Sequence, residues 1–319
     1  MSHDKSCPIC LEGDIVQKLT LFDDRYGYPG EFSLLKCRSC GHHFVGNVAF
    51  SDDQISHLYS DYYPRGSIKA DEYRPAVERR GFSAWLDGAK ASAFRWVPRE
   101  VRVLDIGSGL GQSLGYHAAR GCEVWGVESD PNVLGVAERQ GFNVKIGVFD
   151  PHDFPADYFD VVTLDQVIEH MRDPLETMIG VRTLLRRGGV AILSTPNAYG
   201  WGAKVFGRRW INWHAPYHLH FFSTRSMRIA AHRAGLEFRS LGTITPSEWL
   251  RYQSIHQVTK RRQAQASPFW SGQGSFRLAE RVAIKLASYL HVIRVNHLIT
   301  RTFDKVGLGD SQLFELTKV

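Results

Sequence analysis

The chain has 319 residues, 43% hydrophobic and 23% charged, an ordinary globular composition with room for one large domain plus additions. No run of 18 or more uncharged apolar residues exists, so no transmembrane helix is expected; the opening MSHDKSCPIC lacks the apolar stretch of a secretory leader, so the expected location is cytoplasmic. The net charge of +6 is unevenly spread: ten Lys/Arg against Glu280 and Asp304 put +8 between Arg251 and Lys305 and leave −2 for the rest, so the basic character belongs to one segment.

The first predicted element, over residues 1–50, is built on two C-x-x-C turns, Cys7/Cys10 and Cys37/Cys40. Each turn sets two thiolates on one side of a tight loop. Brought together, the two turns give tetrahedral sulfur ligation, which suits Zn²⁺. The stretch FSLLKC reads as a strand running into the second turn. Disulfides fit a cytoplasmic chain poorly, and a redox C-x-x-C is not expected in duplicate. The reading is a zinc ribbon with a closed, structural site. A helical linker or lid follows over 51–98. It comprises a short helix starting at Ser51 and ending before Pro64, then an amphipathic helix through YRPAVERRGFSAWLDGAKASAF.

From residue 99 the pattern alternates. Strands are predicted over 101–106, 123–128, 143–147, 159–164 and 190–194, with helices over 111–120, 131–140 and 174–187. Helix 224–234 and strand 236–244 continue the series. The fold class is therefore α/β, a doubly wound and mostly parallel sheet over 99–245. Residues 246–306 form a basic helical insert, and 307–319 hold the final strand.

The turn after the first of these strands reads DIGSGLG, Asp105 to Gly111. Its glycines let a ligand approach the backbone at a helix N-terminus. A dinucleotide site would carry G-x-G-x-x-G to cradle a pyrophosphate. Here the spacing is G-x-G-x-G, and the acid two positions before the first glycine would repel a diphosphate. It suits a ligand with an amino or sulfonium cation. Glu128, ending the next strand, can accept both hydroxyls of a ribose. Together these features favour S-adenosylmethionine (SAM) over NAD.

The stretches VLDIGSGLG, GVESD, YFDVVTLDQVIEHMRDP, LLRRGGVAILSTPN and YHLHFFSTRSM resemble those of class I SAM-dependent methyltransferases, a Rossmann-like fold, over about 99–245 plus the last strand. The preceding CPIC…CRSCGHHFV resembles the zinc-ribbon region of a subgroup acting on sugars and other small metabolites. The resemblance implies that Asp105, Gly107, Ser108, Gly109 and Gly111 line the methionine end of SAM. It also implies that Glu128 holds the ribose, that Ser129 lies beside the adenine with Phe149 as an apolar wall, and that Asp165 and Gln166 sit beside the transferred methyl group.

Methyl transfer to a hydroxyl or acidic carbon needs a positioned base, and a histidine titrating near neutrality suits the task. Two clusters offer one. Glu169 and His170 follow the fourth strand, where related ubiquinone-pathway O-methyltransferases carry an E-x-x-E-H that can bind a divalent ion. Gln166 replaces the first acid, which speaks against a metal there, and capping or loop fixation is the other reading of the pair. The second cluster, WINWHAPYHLHFFS, follows the fifth strand. Alternation sets His218 and His220 on one face. His218 is the expected base and His220 its neighbour or a substrate contact. Trp210, Trp213 and Tyr217 read equally as stacking platforms or as core.

In the insert, Arg277, Arg281 and Lys285 share one helix face, with Leu278, Val282, Leu286 and Ile293 on another. A cap over the substrate site is expected, with the basic face drawing an anionic acceptor such as a nucleotide-linked sugar. A peripheral membrane contact is the other use of such a helix. The expected function is methyl transfer to O or C of a sugar, nucleotide-sugar or other small metabolite. The competing reading, a zinc-ribbon nucleic-acid-binding protein or RNA methyltransferase, lacks the Asn/Asp-Pro-Pro-aromatic tetrapeptide of base N-methylation, so nucleic acid is disfavoured as a partner.

Overall fold

The computed structural model describes residues 6–46, 57–63 and 72–319. In the N-terminal part, strands β1 (Ile15–Leu21), β2 (Phe32–Cys37) and β3 (His43–Val45) pair antiparallel. The central sheet comprises β4 (Arg102–Ile106), β5 (Glu123–Glu128), β6 (Asn143–Ile146), β7 (Phe159–Asp165) and β8 (Leu185–Pro196). A short β9 (His220–Phe221) follows, then β10 (Glu237–Ile244) and β11 (Ser311–Thr317).

The order β10-β11-β8-β7-β4-β5-β6 makes seven strands, with β11 antiparallel to both neighbours and the run from β8 to β6 parallel. This is the expected doubly wound sheet. Its strand order reverses at β4, flanked by β5 and β7, and a ligand crevice forms at such a switch point beyond the strands' carboxyl ends. The glycine turn leaves β4 at that place.

Helices α1 (Gly81–Asp87), α2 (Gln112–Ala118), α3 (Leu134–Gln140), α4 (Pro174–Leu184), α5 (Trp201–Phe206) and α6 (Thr224–Arg233) precede the insert. The insert supplies α7 (Ser247–Thr259), α8 (Leu278–Val292) and α9 (Val295–Lys305). Asp173 caps α4 by accepting from Leu175 N and Glu176 N, with Pro174 at the first helical position. Only Gly81–Asp87 of the expected long amphipathic helix is α-helical, because Gly88 turns left-handed at φ 70° and closes it. Ser51 and the start of the expected short helix lie outside the described residues; Leu58–Tyr62 forms one helical turn.

The ribbon is joined to the sheet domain, not strung before it. β3 pairs with β9 (His43 opposite Phe221, Phe44 opposite His220), so the YHLHFFS stretch supplies the ribbon's fourth strand. Cys7, Ile9, Cys37 and Cys40 share a buried core with Leu104, Leu164, Leu193 and Phe222. Ser223 Oγ caps α6 at Ser226 N and donates to Cys40 O at 2.7 Å; Tyr199 Oη donates to Gly41 O at 2.6 Å.

The insert packs along α1, β10 and the Ile211–Trp213 turn. α8 turns inward the polar Glu280, held by Arg261 at 2.7 Å, while Leu278, Val282 and Leu286 are exposed. A carboxylate with a guanidinium partner can be buried, so the apolar stripe is left outside. No helix among the described residues is long and apolar enough to cross a membrane.

Candidate active site

The glycine turn is held from three sides. Gly107 N and Ser108 N both donate to Val127 O, at 2.8 and 3.0 Å. Gly107 has φ 75°, and a Cβ there would stand 2.5 Å from Val167 Cγ2. Gly109, at φ 54°, has nothing within 4 Å of where a Cβ would be, so its face of the turn is open for a ligand to approach the backbone. Gly109 N donates to Glu128 Oε2 at 2.7 Å. Glu128 Oε1 accepts from Asp130 N at 2.9 Å and from Ser129 Oγ at 3.2 Å. Glu128 thus stands, partly exposed, where the ends of β4 and β5 meet. Tyr73 Oη donates to Gly111 O at 2.7 Å and closes the turn's far side.

Asp105 is placed otherwise than the sequence reading had it. It is 2% exposed, and its carboxylate accepts from Thr163 Oγ1 at 2.6 Å and from Ser113 Oγ. Burial pushes its pKa up to about 6 despite those two hydroxyls. Its oxygens are spent on holding β4, β7 and α2 together, so it shapes the turn from behind. Ser108 is likewise buried. At the end of β6 it is Val148 that stands out, 82% exposed, while Phe149 packs against Gly180 of α4.

Asp165 ends β7 beside the turn and Gln166 follows it, both half-buried. Asp165 Oδ1 accepts from Ala93 N at 2.9 Å and from Ser194 Oγ. Gln166 adopts φ 58°, and its amide donates to Ser194 Oγ at 2.9 Å and Ser311 Oγ at 3.2 Å. The residue that replaces the acid of E-x-x-E-H therefore ties β7 to β8 and β11.

Past Gln166, the structure brings Glu169, His170 and His218 together, with one donor atom from each within 4.8 Å of the others. The His170 and His218 rings meet edge to face at 4.6 Å. His170 Nδ1 lies 3.0 Å from Tyr217 O, and His218 Nδ1 lies 2.8 Å from Asn212 O. A carbonyl only accepts, so both Nδ1 atoms carry the proton and both Nε2 atoms carry the lone pair. Burial lowers the pKa of His170 to about 4 and that of His218 well below the ordinary histidine range. Both rings are neutral near neutrality. His170 is half-buried and His218 fully buried behind it.

Glu169 is fully buried, accepts from Thr195 Oγ1 at 3.0 Å through Oε2, and leaves Oε1 without a hydrogen bond. Burial pushes its pKa up to about 8, so it is a carboxylic acid at neutral pH. A folded-state pKa raised above the ordinary 4.5 contributes stability that is full below that value and lost as pH rises toward about 8. With chelator present, the melting temperature of the protein is expected to fall between about pH 5 and pH 8, and that fall is expected to shrink in Glu169→Gln. The limiting slope is about 1.4 kcal/mol per pH unit. Identical slopes in the two proteins would remove the buried acid from the account.

His220 is not part of this group. Its Nδ1 faces His42 Nε2 at 3.1 Å in the joint between β3 and β9, because the chain turns at His218 (His218 N to His214 O, 3.0 Å) before the strand begins. Trp210, Trp213 and Tyr217 are all buried and belong to the core. Sequence reasoning missed Thr163, Ser113, Thr195 and Asn212. Thr163 lies directly opposite Asp105 in the β4–β7 register, a pairing 58 residues apart in sequence that only the fold shows. Asn212 acts through its backbone carbonyl, which leaves no mark on side-chain type.

At the ribbon, Cys7 Sγ and Cys40 Sγ lie 3.6 Å apart and Cys10 Sγ and Cys37 Sγ 3.5 Å apart, with all four sulfurs within 4.8 Å. Disulfide sulfurs would be at about 2.05 Å. A tetrahedron of Zn–S bonds of about 2.3 Å has S···S edges of about 3.8 Å, so this four-cysteine cluster fits a zinc ribbon.

Residues 70–241, more than half of the chain, match the family model described as methyltransferase domain. Among curated relatives, the ubiquinone biosynthesis O-methyltransferase of Azoarcus sp. (strain BH72) is 30% identical over 147 residues, 44% of this chain and 60% of that protein. The enzyme of the same name from Aromatoleum aromaticum is 34% identical over 114 residues, 32% of this chain and 49% of the relative. The chain thus spans about half the length of the curated relatives it matches. Among solved structures, Haemonchus contortus phosphoethanolamine N-methyltransferase 2 in complex with S-adenosyl-L-methionine aligns with 86% of this chain and 61% of its own, at 19% identity and a TM-score of 0.51, a likeness of fold. The sheet order, the glycine turn at its switch point and the match over residues 70–241 agree: the chain belongs to the methyltransferase-domain family and has its Rossmann-like fold.

Proposed function

We propose that the protein transfers a methyl group from SAM to an oxygen of a small-molecule acceptor, at the cleft between the glycine turn and the His170–His218 pair. The observation that carries this reading is two neutral imidazoles, each with Nε2 as its lone-pair atom, set just past the β7 end that adjoins the turn. Gly107, Gly109, Gly111, Glu128 and Ser129 would hold SAM, with Asp105 and Ser108 shaping the turn from behind and Val148 joining Phe149 as apolar wall. Asp165 and Gln166 would border the reacting methyl group. Bound there, SAM supplies an electrophilic methyl on a good sulfonium leaving group.

The chain's own task is to place the acceptor oxygen and take its proton. His170, the more open ring, receives it at Nε2, and His218 orients His170 from behind. Glu169, protonated, adds no negative charge to the pocket. His220 belongs to the joint with the ribbon, where Cys7, Cys10, Cys37 and Cys40 would hold Zn²⁺ as a structural ion. The partial likeness to O-methyltransferases supports oxygen as the acceptor atom.

A second reading comes from the same cluster: Glu169, His170 and His218 could ligate a divalent cation that acts on the acceptor oxygen. Turnover insensitive to a chelator that spares the ribbon site supports the base; turnover restored only by added Mg²⁺ or Zn²⁺ supports the metal.

Glu128→Ala tests the cofactor site. S-adenosylhomocysteine is expected to bind the wild type in calorimetry and to bind the variant more weakly by on the order of 1–3 kcal/mol, the scale of hydrogen bonds to a charged group. Equal affinities would move the ribose elsewhere.

A further inference from the structure

On the far side of His214 from His218 lies a cavity of about 200 Å³, between the Gly207–Arg209 turn after α5, the carboxyl end of α7 and the end of β1. Arg208, Arg209, Lys260 and Arg262 line it, and none has a carboxylate partner among the described residues. The other charged groups there are committed. Arg261 is bound to Glu280 at 2.7 Å, and Asp24 accepts from His256 Nε2 at 3.1 Å. Asp24 on the wall offsets one of the four cations and the negative end of the α7 dipole about half a charge more, which leaves positive charge in excess. Burial, then Arg209 and Arg208, hold Lys260 below its ordinary range against the opposing pull of Asp24.

A larger cavity between α1, α9 and β10, about 630 Å³, shows the contrast. Its Arg79 is paired with Asp87 at 3.0 Å and its Arg301 with Asp304 at 2.7 Å. Its Lys90 and Lys305 have no carboxylate partner among the described residues, but they border an opening of about 630 Å³, whereas the smaller cavity sets four such cations around about 200 Å³.

The wall of the smaller cavity points the same way. His214 is 6% exposed, leaves Nε2 without a hydrogen bond, and is held at φ 37°, a left-handed conformation that costs a non-glycine residue. Its ring meets His218 at 4.9 Å, and His218 meets His170 at 4.6 Å. The cationic cavity and the proton-accepting pair are therefore separated by one imidazole. A small, multiply charged oxyanion matches four cations and this volume, and His214 Nε2 serves it only in the tautomer that carries the N–H there.

We propose that this cavity is the subsite for a phosphate or diphosphate group carried by the methyl acceptor. The proposal rests on the methyl-transfer reading above and names its acceptor class as phosphorylated. It also moves the anion site from the α8 face, where the charge pattern alone had set it, to the end of α7.

Inorganic pyrophosphate is the probe. Titrated calorimetrically into the full chain, it is expected to bind the wild type, with affinity falling as salt is raised. The double variant Arg209→Ala/Lys260→Ala is expected to lose roughly tenfold or more in pyrophosphate affinity. S-adenosylhomocysteine is expected to bind both proteins alike, which shows that the variant is folded. A wild type that binds no pyrophosphate, or a double variant that binds it equally well, overturns the site.

A second arm separates a phosphorylated acceptor from free phosphate. Methyl transfer from labelled SAM into a small-molecule extract is compared with transfer into the same extract pretreated with phosphatase and phosphodiesterase. Loss of labelling after pretreatment supports the acceptor. Pyrophosphate binding with labelling unchanged overturns the acceptor assignment in favour of a free-ion site. Failure of S-adenosylhomocysteine to bind the wild type would instead sink the methyl-transfer reading itself.

Discussion

Replacing Cys37 by Ser, or stripping the ribbon with a strong chelator, is expected to lower the melting temperature and to cost turnover more than SAM affinity. The four sulfurs close one tetrahedral site, and a structural zinc contributes folding energy outright. A ribbon hung before an independent domain would confine the damage to itself. Here Cys37 and Cys40 lie in the core that also contains Leu104 and Leu193, and β3 is hydrogen-bonded to β9, directly after His218. If the four sulfurs hold zinc as proposed, its loss would loosen β3 and, through the β3–β9 pairing, the segment that carries His218. The Glu128 contact with Gly109 is on the other side of the sheet's switch point and is expected to survive. The check is elemental analysis for zinc, a thermal melt, and S-adenosylhomocysteine affinity beside turnover. A zinc-free protein with wild-type stability and rate would detach the ribbon from the site.

His170→Ala is expected to lower kcat by roughly 10²–10⁴, the usual worth of a general base, with SAM affinity near normal. His218→Ala is expected to cost less than His170→Ala, because His218 acts through the ring it orients. The pH profile carries the sharper signature. A histidine at its ordinary value would give an ascending limb near 6.5. Burial lowers His170 to about 4, so the neutral, proton-accepting form persists to more acid pH and is lost only as pH falls through about 4. The rate is therefore expected to be flat through neutrality. An ascending limb near 6.5 would mean a base in a more solvated place. A silent His170→Ala with an inactive His218→Ala would exchange the two roles.

Much of this site was legible in the residues. The G-x-G-x-G turn with Asp105 before it and Glu128 after the next strand is local, and local patterns survive in sequence. The same holds for the alternation that built the parallel sheet and for the two C-x-x-C turns. What was not legible depends on pairings far apart in the chain. The β3–β9 joint links residues more than 170 apart in sequence, so nothing near His220 announced that it meets His42. Asp105 looked like a ligand-facing acid because its type fits; only the β4–β7 register shows Thr163 consuming one of its oxygens. The α8 stripe was correctly seen as amphipathic, but amphipathicity does not say which face is partnered. There Glu280, neutralised by Arg261, is buried with Ala287, while the Leu278–Val282–Leu286 stripe and the Arg277–Arg281–Lys285 stripe both stay exposed. His170 and His218 come from two loops 48 residues apart in sequence, and only tertiary packing sets their rings at 4.6 Å.

Methyl-labelled SAM decides whether the chain transfers its methyl group to a small molecule. The full chain is incubated with it and, in parallel, with a small-molecule extract, with total RNA and with total protein. Label is expected in a low-mass product, on oxygen, with one S-adenosylhomocysteine released per methyl transferred and the yield collapsing in His170→Ala. Label confined to RNA or protein, or no S-adenosylhomocysteine from any of the three pools, would contradict that transfer.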